Sequence, residues 1–432
     1  MKVNLISLGC AKNLVDTEVL GGILGTAGFE FVGAPQHADF MIINTCSFIK
    51  EAREESYREI SKLCGSKKEN QKLIVCGCLP QLEKETIFRK FPQVDAIIGS
   101  SDFFKIGKVI KKFDRVKRIS EVSSPGFLYD SSYPRLLSTP RSYAYLKIAD
   151  GCSNRCGYCK IPYLRGNYRS RSIDDIVTEA RALAGMGIKE IILVAHDTTN
   201  FGADRAPPEA GGHELPLLLD ELHKIKKIKW IRILYMHPEH INRNLIREIS
   251  HLPKICRYFD IPLQHTESGI LRRMKRPSFN RAENLIGLIR KTVSGAAIRT
   301  TFITGFPGET TSQFGRLLSD VKRIKFDWVG VFEYSDEKGT QAYILDKKVT
   351  PKTAGKRAGE LMKMQRGITF RKNKTYVGMT LKVLVDGPFT GHTEFQAPVI
   401  DGKVIFAKKQ KPGTMKKFLI TGARGYDLLA GD

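Results

Sequence analysis

The stretch Tyr143-Ala144-Tyr145-Leu146-Lys147-Ile148-Ala149-Asp150-Gly151-Cys152-Ser153-Asn154-Arg155-Cys156-Gly157-Tyr158-Cys159 decides how the chain is read. Its first six residues form a strand-like run, and three cysteines follow at C-x3-C-x2-C. Spacings this short, through Gly and small polar residues, let three thiolates converge on one inorganic centre. Zinc would take a fourth ligand nearby, and the nearest downstream histidine, His196, lies 37 positions beyond Cys159. A cubane iron–sulfur cluster is ordinarily held by four cysteines, so three leave one iron open to another ligand. A zinc knuckle or a set of buried structural thiols are the alternatives.

Downstream of this motif, strand candidates recur at barrel-like intervals. They are Tyr143–Ile148, Glu190–Ala195, Trp230–Met236, Tyr258–Leu263, Ile298–Thr304 and Trp328–Tyr334, with helical stretches such as Ile173–Ala184 and Arg281–Lys291 between them. Six βα units predict a partial (β/α)6 barrel, whose working face is the carboxyl end of its strands. The three-cysteine loop follows the first strand and so falls on that face.

Upstream, residues 1 to 118 also alternate strand and helix: Val3–Leu8, helix Val15–Leu24, Phe40–Asn44, helix Glu51–Leu63 and Lys72–Val75. This predicts an N-terminal parallel-sheet α/β domain. Three of its strands run into cysteine, at Cys10, Cys46 and the pair Cys76/Cys78, separated by 36 and 32 positions up to Cys78. Ligands gather outside the carboxyl ends of such strands, so these cysteines can meet despite their distance in sequence; chance placement is the alternative. Cys76 still lies within the strand while Cys78 follows Gly77 into a loop, so Cys78 is the expected third member. Cys64 and Cys256 read as small buried hydrophobes.

Residues 119–137 shift to Ser, Pro and Gly without a period, which reads as a linker to a core at 138–368. From 371 to 432 the pattern becomes short β runs, Leu381–Val385, Val404–Ala407 and Lys417–Thr421, with glycine turns, predicting a small OB-like β-barrel. That segment holds 11 Lys/Arg against 5 Asp/Glu, and the whole chain carries a formal charge of +25. Such an excess points to a phosphate-rich partner or to solubility alone. Lys408-Lys409-Gln410-Lys411 is either a phosphate contact or a solvated loop. No apolar run is long enough to cross a bilayer, and Met1 to Cys10 is too broken by Asn4 to be a secretory leader. Nine cysteines in clusters suit metal in a reducing compartment better than disulfides. A cytoplasmic monomer with no membrane partner is expected.

With both cysteine sets placed, the chain resembles the radical S-adenosylmethionine (SAM) methylthiotransferases along essentially its whole length. C-x3-C-x2-C is the signature of the radical-SAM superfamily, and the implied order is a methylthiotransferase domain, a radical-SAM core and a TRAM domain. Within the family, the branch acting on isopentenylated adenosine in tRNA typically begins its first motif G-C-Q-M-N. Here Gly9-Cys10-Ala11-Lys12-Asn13-Leu14-Val15-Asp16 looks instead like the RimO-type branch, which modifies an aspartate of the small-subunit ribosomal protein numbered twelve. Asp197-Thr198-Thr199, Arg232-Ile233-Leu234-Tyr235, Asp260-Ile261-Pro262-Leu263-Gln264-His265 and Val331-Phe332-Glu333-Tyr334-Ser335 agree with that branch. Two features depart from it: His196 stands where Gln is usual, and the C-terminal segment is basic, which would suit a contact with ribosomal RNA.

The resemblance implies two 4Fe-4S clusters, on Cys152/Cys156/Cys159 and on Cys10/Cys46/Cys78, together with two molecules of SAM. A β-CH2 group of aspartate has no useful acidity, so a radical rather than a base must activate it. One cluster would cleave SAM to that radical, and the other would hold an exogenous sulfur that a second SAM methylates. Tyr158 resembles the aromatic position beside the SAM adenine, or else packs beneath the loop. Thr304 and Gly305, in Thr304-Gly305-Phe306-Pro307-Gly308-Glu309, follow the fifth barrel strand where relatives set backbone against SAM. Arg165, Arg169 and Arg171 either meet an anionic substrate or solvate the loop. The same chemistry on tRNA, and a non-catalytic iron–sulfur protein that binds RNA, are the competing readings. The sequence names neither the electron donor nor the sulfur donor.

Overall fold

The computed structural model describes residues 1–205 and 214–431, so Asp432, the last residue of the expected C-terminal domain, lies outside them. The chain folds as two compact units. One comprises Met1–Ser138, Ala149–Arg155 and Cys159–Ile176; the other comprises Thr139–Ile148, Cys156–Tyr158 and Val177–Asp432. Among the described residues no helix is long and apolar enough to cross a membrane.

The first unit is built on an all-parallel sheet of β1 (Lys2–Ser7), β2 (Glu30–Phe31), β3 (Phe40–Thr45), β4 (Lys72–Gly77), β5 (Ala96–Gly99) and β6 (Ile119–Glu121), in the order β2-β1-β3-β4-β5-β6. The intervening helices α1 (Ala11–Thr26), α2 (Lys50–Ser66), α3 (Cys78–Lys90) and α4 (Ile106–Lys112) supply the crossovers. Met41, Ile43, Leu73, Val75 and Ile97 from the sheet pack with Ile60 and Leu63 of α2 and Leu79 and Ile87 of α3. Parallel strands covered on both faces read as unbroken apolar runs, which is why β3 and β4 are legible in sequence and the two-residue β2 is not.

Residues 120–138 carry no long element, yet they are fastened to this unit. Phe127 stacks on Phe104 at 4.0 Å, Tyr129 is fully buried, and Glu18 accepts bonds from Arg135 and Ser138. Gly22 of α1 makes room, since a Cβ there would lie 2.1 Å from the Pro134 carbonyl oxygen. Beyond it, β8 (Ala149–Asp150) pairs with β9 (Arg169–Ser170) and brackets the short helix α5 (Ile161–Arg165).

The second unit contains the six expected parallel strands as two arcs. One arc is β7 (Tyr143–Lys147), β10 (Glu190–Val194) and β11 (Trp230–Ile233); the other is β12 (Tyr258–Asp260), β13 (Ala297–Thr304) and β14 (Trp328–Glu333). A single parallel bridge, Ile231–Ile255, leads from the first arc toward the second. The helix Pro351–Lys374 then runs into a closed five-stranded barrel of β15 (Thr380–Gly387), β16 (Thr390–His392), β17 (Val404–Phe406), β18 (Met415–Arg424) and β19 (Asp427–Ala430). Its core is Val383, Val385, Val404, Phe406, Phe418, Ile420 and Leu428. The small barrel is joined to the larger one through buried charge: Arg232 reaches Glu190 and the Thr393 and Glu394 carbonyls, and Glu190 also reaches His392.

Candidate functional site

Three adjacent strands of the N-terminal sheet, β1, β3 and β4, each deliver one cysteine at the carboxyl end: Cys10, Cys46 and Cys78. Two glycines permit the approach. Gly9 has φ +90°, and a Cβ on it would lie 2.6 Å from the Cys46 Cβ and 2.9 Å from its Sγ. Gly77 has φ +98°, and a Cβ there would meet Asn44 Oδ1 at 2.2 Å. That left-handed turn carries the chain from strand straight into helix, so Cys78 is the first residue of α3 rather than part of a loop.

The surrounding bonds fix these strand ends. Asn13 donates to the Leu8 carbonyl, Asn44 donates to the Asn13 carbonyl and to Thr17, and Ser56 donates to the Cys46 carbonyl at 2.7 Å. Burial pushes the Cys46 thiol up to about 12, and the neighbouring charges of Cys78 and Cys10 push in the same direction. Three soft sulfur donors that repel one another are the donor chemistry an iron–sulfur cluster takes. Cys76 is set apart: it is fully buried and its Sγ lies 3.4 Å from the Ile43 carbonyl oxygen. Cys256 is buried, as its reading as a small hydrophobe requires, whereas Cys64 is only half-buried near the end of α2.

Of the three arginines near the C-x3-C-x2-C motif, two are buried and all three are bonded within the protein. Arg165 is buried, and donates to Asp16, Asp150, Asn13 and the Cys78 Sγ. Arg171 is buried against Tyr129 and bonded to Asp175. Arg169 donates to the Asn167 and Arg165 carbonyls.

In the C-x3-C-x2-C segment, Gly151 has φ +76°, and a Cβ there would lie 2.1 Å from the Asn167 carbonyl oxygen. The Cys152 amide donates to the Gly166 carbonyl at 3.1 Å, and the Cys159 Sγ accepts from the Ile161 amide at 3.5 Å. In the other unit, Cys156 Sγ lies 3.9 Å from Arg276 Nη1, and Gly157 is held by Met274 and Ala342. Tyr158 packs on a cluster of Ile270, Met274, Ile303 and Phe306. Thr304 donates to the Ala354 carbonyl and the Gly305 amide to Glu309, so both of these donors are used within the protein. Glu309 is in turn buried between His265 and Arg357.

The structure also assembles a group at the barrel's carboxyl face that the sequence reading did not single out. Asp197 follows β10, and His237 and His240 follow β11; ligand atoms of the three lie within 4.8 Å of one another. Asp197 Oδ2 is 2.7 Å from His240 Nδ1, and Oδ1 accepts from Thr199. Burial alone would raise the Asp197 carboxyl, but the surrounding groups, the His240 hydrogen bond foremost among them, together outweigh it and hold it down to about 2. Burial, helped by the Arg276 charge, pushes His237 down to about 3, so its ring is neutral. The Glu239 amide donates to His237 Nδ1, leaving the proton on Nε2, which is buried without a partner among the described residues. A neutral donor beside an arginine suits hydrogen bonding to a bound molecule better than a cation cage. Placement just past the ends of barrel strands was the available signal.

Comparison with known proteins follows the same divisions. Residues 2–99 match the family described as Uncharacterized protein family UPF0004, residues 146–321 the Radical SAM superfamily, and residues 377–431 the TRAM domain. The chain is thus a radical SAM enzyme carrying a TRAM domain. A protein of Heliobacterium modesticaldum named ribosomal protein uS12 methylthiotransferase RimO is 42% identical over 438 residues, covering 99% of this chain and 94% of that one. Its namesake in Elusimicrobium minutum is 44% identical over 431 residues, covering 99% and 98%. The chain belongs to this RimO family of methylthiotransferases. Among solved structures, the radical S-adenosylmethionine methyltransferase TsrM of Kitasatospora setae aligns with a TM-score of 0.55 at 14% identity, over 77% of this chain and 72% of that one, a likeness of fold.

Proposed function

We propose that this enzyme methylthiolates the β-carbon of an aspartate in ribosomal protein uS12, in the cytoplasm and as a monomer. In this reading Cys152, Cys156 and Cys159 hold one 4Fe-4S cluster and Cys10, Cys46 and Cys78 hold a second. The domains run 1–118, 138–368 and 371–432. The observation that carries it is the delivery of Cys10, Cys46 and Cys78 by three neighbouring strands, with Gly9 and Gly77 removing the side chains that would keep them apart. When bound, the clusters and SAM supply radical generation and sulfur transfer.

The chain's own residues bind and orient. Asn13, Asn44 and Ser56 hold the strand ends that carry Cys10 and Cys46. Tyr158, Thr304 and Gly305 line the expected SAM site, and the Nε2 proton of His237 offers a hydrogen bond to a bound molecule. No general acid or base is assigned, because the carbon to be modified has no useful acidity. The exposed lysines Lys408, Lys409, Lys411, Lys416 and Lys417 of the C-terminal barrel support a contact with ribosomal RNA near the protein substrate.

The test is incubation of the reconstituted enzyme with SAM, a sulfur source, a reductant and small ribosomal subunits, followed by mass spectrometry. A gain of roughly 46 Da on uS12 is expected for replacement of H by SCH3 in a cofactor-run transfer. If uS12 stays unmodified while tRNA acquires the group, the substrate assignment is wrong.

A further inference from the structure

Full burial of a guanidinium costs several kcal/mol and has to be offset by partners. Arg165 is 2% exposed and finds four. Nη1 donates to Asp16 Oδ2 at 2.6 Å and to Asp150 Oδ2 at 3.3 Å. Nη2 donates to Asn13 Oδ1 at 3.1 Å and to Cys78 Sγ at 3.5 Å. Two carboxylates would suffice to neutralise the charge. The planar fork instead aims one nitrogen at a cysteine, a geometry that an ammonium group would not impose.

The side chain also joins segments far apart in sequence. Asp16 and Asn13 belong to the helix that begins after Cys10, Cys78 opens α3, and Asp150 precedes Gly151, whose amide bonds its other oxygen at 2.8 Å. Gly166, the residue after Arg165, holds the Cys152 amide.

We propose that Arg165 is a positioning residue that acts through the Cys78 thiolate, holding it in place and making a cluster bound by Cys10, Cys46 and Cys78 easier to reduce. This rests on the assignment of those three cysteines as ligands under the proposed function. Reduction adds negative charge to a cluster, and hydrogen bonds and positive charge at a ligand sulfur stabilise the added electron. It is the guanidinium and not a carboxylate that bonds the sulfur: Nη2 faces Cys78 Sγ at 3.5 Å, while Nη1 takes the two carboxylates. The side chain therefore presents a charged N–H donor to the sulfur.

The test uses the full chain with Cys152→Ala, Cys156→Ala and Cys159→Ala, reconstituted anaerobically with iron and sulfide so that the N-terminal centre alone is loaded. Iron content is measured first, then the midpoint potential by redox titration followed by electron paramagnetic resonance. Arg165→Gln at full iron content is expected to shift the reduction equilibrium at least tenfold toward the oxidised cluster, about 59 mV for one electron. Arg165→Lys, which keeps the charge, is expected to recover most of that shift. Arg165→Met with Asp16→Asn removes the N–H donor to Cys78 without stranding Asp16 or changing the net charge, and is expected to shift the potential in the same direction should the single neutral variant fail to fold.

An unchanged potential in the neutral variants at full iron content would overturn the proposal, as would loss of iron from both, which would make Arg165 scaffold only. Failure of Arg165→Lys to recover the potential would overturn the role of charge. Full iron in Cys78→Ala, by contrast, would remove the ligand assignment itself and leave the role of Arg165 without a centre to act on.

Discussion

The attachment of the small C-terminal barrel to the larger one is expected to weaken steeply in mild alkali, through His392. This residue lies on β16 with its side chain 1% exposed, its Nδ1 2.8 Å from Asp386 and its Nε2 2.5 Å from Glu190. The other groups around it are Arg232, which shares Glu190, and the rings of Tyr143 and Trp230. Burial alone would lower the His392 pKa, but the Glu190 charge and the hydrogen bonds to Asp386 and Glu190 prevail and raise it from 6.5 to about 9. A raised pKa means that the folded state binds the proton more tightly. The resulting stability is complete below pH 6.5, shrinks as pH rises, and is gone above about 9. At 1.36 kcal/mol per pKa unit the proton contributes about 3 kcal/mol.

Amide hydrogen exchange of Thr390–His392 and Val404–Phe406 reads this locally, without requiring the whole chain to unfold as one unit. Comparing the parent with His392→Asn at each pH cancels the intrinsic pH dependence of exchange. The variant is expected to exchange about 100-fold faster at pH 6, from about 1.4 kcal/mol per factor of ten, with the ratio falling to a few-fold by pH 9.5. A ratio that stays flat from pH 6 to pH 9.5 would show that His392 is neutral in the folded protein, and the electrostatic argument would fail.

Other outcomes follow from single residues. Cys78→Ala is expected to cost about one cubane's worth of iron, roughly four atoms, in anaerobically reconstituted protein, while Cys76→Ala leaves iron content unchanged; the reverse pattern would exchange their roles. Gly77→Ala should destabilise the N-terminal unit by more than about 2 kcal/mol in denaturant titration, because the new Cβ meets Asn44 Oδ1 at 2.2 Å and φ is +98°. Replacing Lys408, Lys409 and Lys411 together by Gln should lower the slope of log affinity against log salt for ribosomal subunits by about 2 to 3; an unchanged slope would place that loop away from RNA.

The architecture was legible wherever burial leaves a pattern along the chain. Phe40–Thr45 is buried at every position, and Glu190–Val194 likewise, so their residues form unbroken runs that announce parallel strands. The strand-end cysteines followed from the same reading, since topology alone brings the ends of β1, β3 and β4 together. Thr390–His392 and Asp427–Ala430 were invisible, being only three and four residues long. The fastening of residues 120–138 was hidden for a different reason. Ser, Pro and Gly set the composition there, while Phe127 and Tyr129 provide the anchors.

Charge was the least legible property, because a buried arginine and a solvated one look alike in sequence. Glu190 and His392 are 202 positions apart, and Arg165 and Asp16 are 149 apart, so no spacing rule connects them. This changes how the +6 of the C-terminal segment is read. Asp386 is turned toward His392 and Ser142, Asp401 is taken by Tyr258 and Arg299, and Asp427 accepts from the Lys403 amide. Lys408, Lys409, Lys411, Lys416 and Lys417 all stay exposed. Three of the five acids of that segment are thus drawn toward partners within the protein, while these lysines face solvent. A polyanion at that surface would meet these exposed lysines, and releasing its own counterions would favour binding.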